Sequence, residues 1–63
     1  MYTILDSNLE VDAKGFDNIE IAVAFVLEEL PHEDSVWFIQ NGEGDIICLV
    51  YAGNVWKPVE INQ

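Results

Sequence analysis

The sequence predicts a small α+β domain spanning residues 1–63, with one helix packed on a small antiparallel sheet. Three observations carry that prediction. Apolar residues recur at helical spacing from Ile19 to Leu30. Two later stretches, 36–40 and 46–51, are β-branched and aromatic. Asn41-Gly42-Glu43-Gly44 lies between them and reads as a hairpin turn. The expected order is one or two N-terminal strands, then the helix, then a three-strand C-terminal meander.

Tyr2–Leu5 has strand propensity, and Asp6-Ser7-Asn8 reads as a turn. Leu9, Glu10 and Val11 suggest a second short strand, with residues 12–15 as a loop bending at Gly15. The helix is expected over residues 18–30. Asp17-Asn18-Ile19-Glu20 fits a capping box, Asp17 accepting from a free N–H and Glu20 reaching back. Phe16 is placed to staple onto Ile21. Ile19, Ala22, Val23, Val26, Leu27 and Leu30 share the core-facing stripe. Pro31 ends the helix, because the residue before a proline avoids helical dihedrals.

After the loop His32-Glu33-Asp34 come the strands of the meander. Gly53-Asn54 is expected as a two-residue turn, and residues 55–61 as a last strand, with Pro58 requiring an edge or a bulge. The implied register puts Trp37, Ile39, Ile46, Cys48, Val50, Val59 and Ile61 on one face. Val36, Phe38, Ile47, Leu49, Tyr51, Trp56 and Pro58 fall on the other. One helix covers one face. The second must be covered by the N-terminal segment or by another molecule.

The charge balance is lopsided. Twelve Asp and Glu face two Lys and no Arg, a formal net charge of −10. Disorder does not follow, because 51% of the residues are hydrophobic and the mean hydropathy is +0.17. A chain of this length buries little core and gains from oligomerisation or a partner. A single cysteine, Cys48, makes no internal disulfide and fits a reducing, cytoplasmic setting. The start, Met1 to Asp6, has no basic region and is not expected to be a signal peptide. The apolar run 21–27 is far short of the roughly 18 residues that span a bilayer. Nucleic acid and anionic membranes both repel this charge, so neither is an expected direct partner.

The acids form three clusters. Glu28, Glu29, Glu33 and Asp34 crowd the helix C-terminus, where the helix dipole disfavours each by about 0.3–1 kcal/mol. Asp6, Glu10 and Asp12 make a second, and Glu43 with Asp45 a third. An ordinary charge run is a solvated face. Here the global imbalance and the dipole-opposed placement favour an anionic patch for a basic partner. Dispersed acids on a compact fold can imitate DNA phosphates, the strategy of several phage-encoded inhibitors of DNA-processing enzymes.

Other constellations are weaker. Asn41, Glu43 and Asp45 alternate oxygen side chains but lack the bidentate Glu of a calcium loop, so a hairpin turn is expected and no metal. His32 beside Glu33 and Asp34 suggests a catalytic or pH-sensing group. Ser35 and Cys48 are the nearest nucleophile types. Ser35 reads as the start of a strand and Cys48 as a core thiol, so neither activity nor a cofactor is expected. Phe25 and Ile21 flank the helix stripe, and Tyr51 and Trp56 are expected to be cross-strand neighbours. Aromatics serve equally as sheet pairs and as interface anchors. Lys57 is expected to protect an edge strand.

The functional expectation is a non-enzymatic inhibitor or modulator that covers the nucleic-acid site of a basic partner protein, as phage or mobile-element anti-restriction and anti-CRISPR proteins do. Glu28, Glu29, Glu33 and Asp34 would supply charge, and Phe25, Tyr51 and Trp56 the anchoring. The alternative is a homo-oligomeric structural or adaptor protein, a dimer joined through the apolar sheet face.

Overall fold

Tyr2–Leu5 (β1) and Val11–Phe16 (β2) form a hairpin, and Ile19–Glu29 (α1) crosses the sheet. Trp37–Gln40 (β3), Ile46–Tyr51 (β4) and Asn54–Trp56 (β5) form the meander. This computed structural model describes residues 1–57. The sheet has five strands in the order β2-β1-β3-β4-β5, every neighbouring pair antiparallel. The α+β arrangement is the one expected. Pro58, Val59 and Ile61, assigned above to a last strand, lie outside the described residues.

The N-terminal segment differs most from expectation. Residues 12–15 are not a loop but the body of β2, and Leu9 and Glu10 belong to the turn before it. Backbone pairing decides this. Thr3 lies opposite Lys14 and Ile4 opposite Ala13. Gly15, at φ +91°, and Asp12 are skipped between ladder partners, so each is the extra residue of a bulge.

Helix α1 begins one residue later than a cap at Asp17 would set it. Asn18 is the N-cap, its side-chain oxygen accepting from the Ile21 N–H at 2.9 Å. Counted from Asn18, the third helical position is Ile21, so no capping box forms with Glu20. Phe16 stays in β2 opposite Tyr2, leaving Asp17 as the link. Phe16 stacks on Phe25, not Ile21, with ring centroids 5.3 Å apart and planes tilted by 51°. At the other end Leu30 is extended (φ −112°, ψ 148°), as its position before Pro31 demands.

Ala22 and Val26 of α1 are fully buried against Ile4, Trp37, Ile39, Cys48 and Val50. The Trp37 indole N–H donates to the Pro31 carbonyl at 2.8 Å, which satisfies its polar edge inside the core. Burial pushes the Cys48 thiol above the ordinary thiol range, against the opposing pull of the Lys57 charge and a backbone hydrogen bond from Leu49. The thiol is a core filler rather than a nucleophile.

Trp37, Ile39, Cys48 and Val50 share a face as expected, although the pairing, Trp37–Val50, Phe38–Leu49 and Ile39–Cys48, lies two residues from the one a turn at 41–44 alone would set. It then slips at a bulge that sets Gln40 against Ile46. The slip exchanges two residues. Ile47 packs against the core, while Ile46 is exposed. The two-residue turn is Ala52-Gly53, one residue earlier than expected, because Tyr51 pairs with Asn54. Both turn residues have positive φ (54° and 77°), as a type I′ hairpin requires. Trp56 therefore faces Leu49 directly, and Tyr51 is its diagonal neighbour.

Candidate functional site

Antiparallel pairing sorts the connections to two ends of the sheet. The Leu5 end of β1 meets the start of β3, since Leu5 pairs with Phe38, and the end of β4, since Trp37 pairs with Val50. The turn after β1 and the Ala52-Gly53 turn are therefore at one end. Helix α1 starts at the opposite end, after Phe16, and delivers its C-terminus to this one. The first and second acidic clusters, far apart in sequence, reach the same end of the sheet, the second at its β2–β1 edge and the first beside the β4–β5 turn. Asp6, Glu10 and Asp12 come by the β1–β2 hairpin, and Glu28, Glu29, Glu33 and Asp34 by the helix and its loop. Glu10, Asp12 and all four helix-end acids are exposed. Glu43 and Asp45 stand apart, in the hairpin at the other end.

The backbone at this acidic end is tightly specified. Asp6 closes its turn by accepting through Oδ1 from the N–H groups of Asn8 (2.9 Å) and Glu10 (3.0 Å). Asn41 closes the β3–β4 turn the same way, accepting from Glu43 and Asp45, both at 2.9 Å. That use of the Asn41 oxygen accounts for Asn41, while Glu43 and Asp45 give the turn only their backbone N–H groups. Among the described residues no group of three His, Cys, Asp or Glu is placed to hold a metal ion.

Pro31 brings His32 into the end of the helix. The Leu27 carbonyl would take its helical hydrogen bond from residue 31, but proline has no N–H. The His32 Nε2 lies 3.2 Å from that carbonyl and replaces the missing donor. The other ring nitrogen, Nδ1, accepts from the Gly53 N–H at 3.0 Å, and the His32 carbonyl accepts from the Ala52 N–H. His32 thus ties the acidic loop and the helix end to the β4–β5 turn. Among the described residues its hydrogen bonds all go to backbone groups and none to a nucleophile.

The sheet face away from α1 adjoins this end. The N-terminal strands extend the sheet instead of wrapping that face, so among the described residues it is open. Leu5 is buried opposite Phe38 at its start. Val36, Leu49, Tyr51 and Trp56 line a shallow apolar concavity, and Phe38, Ile46 and Lys57 line another beside it with Leu49 and Trp56. Tyr51 is 42% and Trp56 49% exposed. Among the described residues Lys14 lies on the edge strand β2 and Lys57 just past the edge strand β5, where a charge disfavours pairing with another chain.

The structure divides the residues singled out from sequence. It brings Glu28, Glu29, Glu33 and Asp34 to one end and places Tyr51 where that end meets the open face. Trp56 lies further along the face. Phe25 is elsewhere, half-buried on the helix side against Phe16. Leu9 escaped sequence reasoning. It is 55% exposed in the turn between Asp6 and Glu10, at φ +65°. The available signal was the parallel between Asp6-Ser7-Asn8-Leu9 and Asn41-Gly42-Glu43-Gly44. No helix of the described residues is long and apolar enough to cross a membrane. Comparison of the chain with protein-family models, curated proteins and solved structures gives no match.

Proposed function

We propose that this chain is a non-enzymatic binding protein whose acidic end covers the nucleic-acid site of a basic partner protein. The observation behind the reading is that two acidic clusters share one end of the sheet, at its opposite edges, beside an apolar face that no other described residue covers. Charge at such an end speeds encounter and orients the partner. Exposed apolar groups give the complex its lifetime, and Leu9, Tyr51 and Trp56 are the groups at hand. Exposed carboxylates spread over a rigid end can occupy the places of DNA phosphates, in the manner of anti-restriction and anti-CRISPR inhibitors.

The test is competition. A basic DNA-binding protein retained from host lysate at low salt should be released by added duplex DNA and by high salt. Reversal of Glu28, Glu29, Glu33 and Asp34 to Lys should abolish retention. Retention that survives the reversal, or survives excess DNA, rejects the proposal.

A second reading is favoured by the exposure of Tyr51 and Trp56 on a face the helix does not reach: two copies pack through it. Two copies double the negative charge, so salt strengthens self-association while it weakens a basic partner. Sedimentation equilibrium across a salt series separates the two readings.

A further inference from the structure

We propose that His32 is a proton-operated latch on the β4–β5 hairpin. Its two ring partners are of opposite kinds. The Gly53 N–H, 3.0 Å from Nδ1, is only a donor, and the Leu27 carbonyl, 3.2 Å from Nε2, is only an acceptor. Both are satisfied by a neutral imidazole with its proton on Nε2 and by no other form. An imidazolium has two donors and no acceptor. It keeps the bond to Leu27, where a cation also suits the negative end of the helix dipole. It must release Gly53, whichever way the ring is turned. A proton therefore breaks one bond and strengthens the other, so the helix end stays closed while the hairpin tip is freed.

The tip has reason to move once freed. Ala52 holds φ +54°, a conformation that costs an L-residue about 1–2 kcal/mol. Both amides of the Ala52-Gly53 turn end on His32, one on its carbonyl and one on its ring. Losing the ring bond removes half of what holds the strained turn against the acidic loop. Strand β5, which carries Trp56, is anchored at that turn and is the sheet's short edge. The titratable and charged groups on the elements meeting the ring are Glu28 and Glu29 at the near end of α1 and Glu20 at its far end, Glu33 and Asp34 on its own loop, Cys48 and Tyr51 on β4 and Lys57 beyond β5.

The latch stands on hydrogen-bond geometry alone. The test therefore uses the free chain. Ring nitrogen NMR should show the Nε2–H tautomer near pH 7.5. Lowering the pH until the ring nitrogen shifts show the imidazolium should cut the exchange protection of the Gly53 amide about fivefold, the worth of one ordinary hydrogen bond. Helix amides should keep their protection. In His32→Gln the pH dependence of Gly53 should vanish. An Nδ1–H tautomer at neutral pH overturns the proposal. So does a Gly53 amide that stays protected after the ring is protonated, or an equal pH response in the Gln variant.

Discussion

Leu9 occupies in the β1–β2 turn the place that Gly44 occupies in the β3–β4 turn. Each follows by three residues an Asx side chain that closes the turn, Asp6 or Asn41. Each donates its N–H to that residue's carbonyl, at 2.9 Å for Leu9 and 3.2 Å for Gly44. Both have positive φ, 65° and 91°. Glycine accepts that conformation freely, and leucine does so at a cost. The chain keeps an exposed leucine where its own second hairpin shows that glycine fits. Leu9→Gly should raise stability by about 1 kcal/mol in denaturant unfolding and weaken partner binding if the side chain is an anchor. A variant less stable than the parent rejects the strain account.

The Ala52-Gly53 turn gives an independent test of the same physics. Ala52→Gly should stabilise the fold by about 1 kcal/mol, and Ala52→Val should destabilise it by more, since a β-branched residue tolerates positive φ worst. Equal stability of the Gly and Val variants would remove the argument for strain.

Asn18 and Asp17 separate two accounts of the helix start. Asn18→Ala should cost about 1 kcal/mol, because the Ile21 N–H loses its acceptor. Asp17→Ala should cost no more than a few tenths, through the helix dipole. The reverse order would restore the capping box based on Asp17.

Phe25 and Trp56 should part company. Phe25→Ala removes a ring that packs on Phe16 and should cost about 2 kcal/mol of stability. Trp56→Ala should stay within about 1 kcal/mol, as expected of a half-exposed side chain at a sheet edge. For partner or copy binding the ranking inverts. Binding lost with Phe25→Ala at unchanged stability would return Phe25 to the interface.

Cys48 predicts an alkaline weakness. Its thiol is held above the ordinary range in the fold and returns to that range on unfolding. Below that range both states keep the proton. As pH rises through it the unfolded chain ionises first, so stability falls towards and through the folded pKa. Melting between pH 8 and 10 should show a larger loss in the parent than in Cys48→Ala, and thiol reagents should react at the rate of unfolding.

The surplus of acid makes a last prediction. The radius of gyration, 11.0 Å, is only a little above the Debye length of about 8 Å at physiological salt, so neighbouring carboxylates repel one another while those on opposite sides of the domain are largely screened. Moderate NaCl should raise the melting temperature by about 4 °C, equivalent to roughly 0.5–1 kcal/mol. A flat or falling curve would show that repulsion is already relieved.

Element order, the helix stripe from Ile19 to Leu30, the stop at Pro31 and the inward set Trp37, Ile39, Cys48 and Val50 could all be read from sequence. Each depends on side-chain period or on a covalent property of one residue. What failed lay at the joints. Asp17 and Asn18 are equally good caps, and only the pairing of Phe16 with Tyr2 chooses between them. The bulge that exchanges Ile46 and Ile47 is invisible to a strict two-residue period. The strand character of residues 12–15 comes from backbone bonds to β1, which no side chain advertises. The acidic site was half legible. Composition identified the acids, but their sharing of one end depends on which end of the sheet each connection reaches. Periodicity acts within one element, whereas the acidic end, the His32 link and the open face are set by antiparallel pairing between elements distant in the chain.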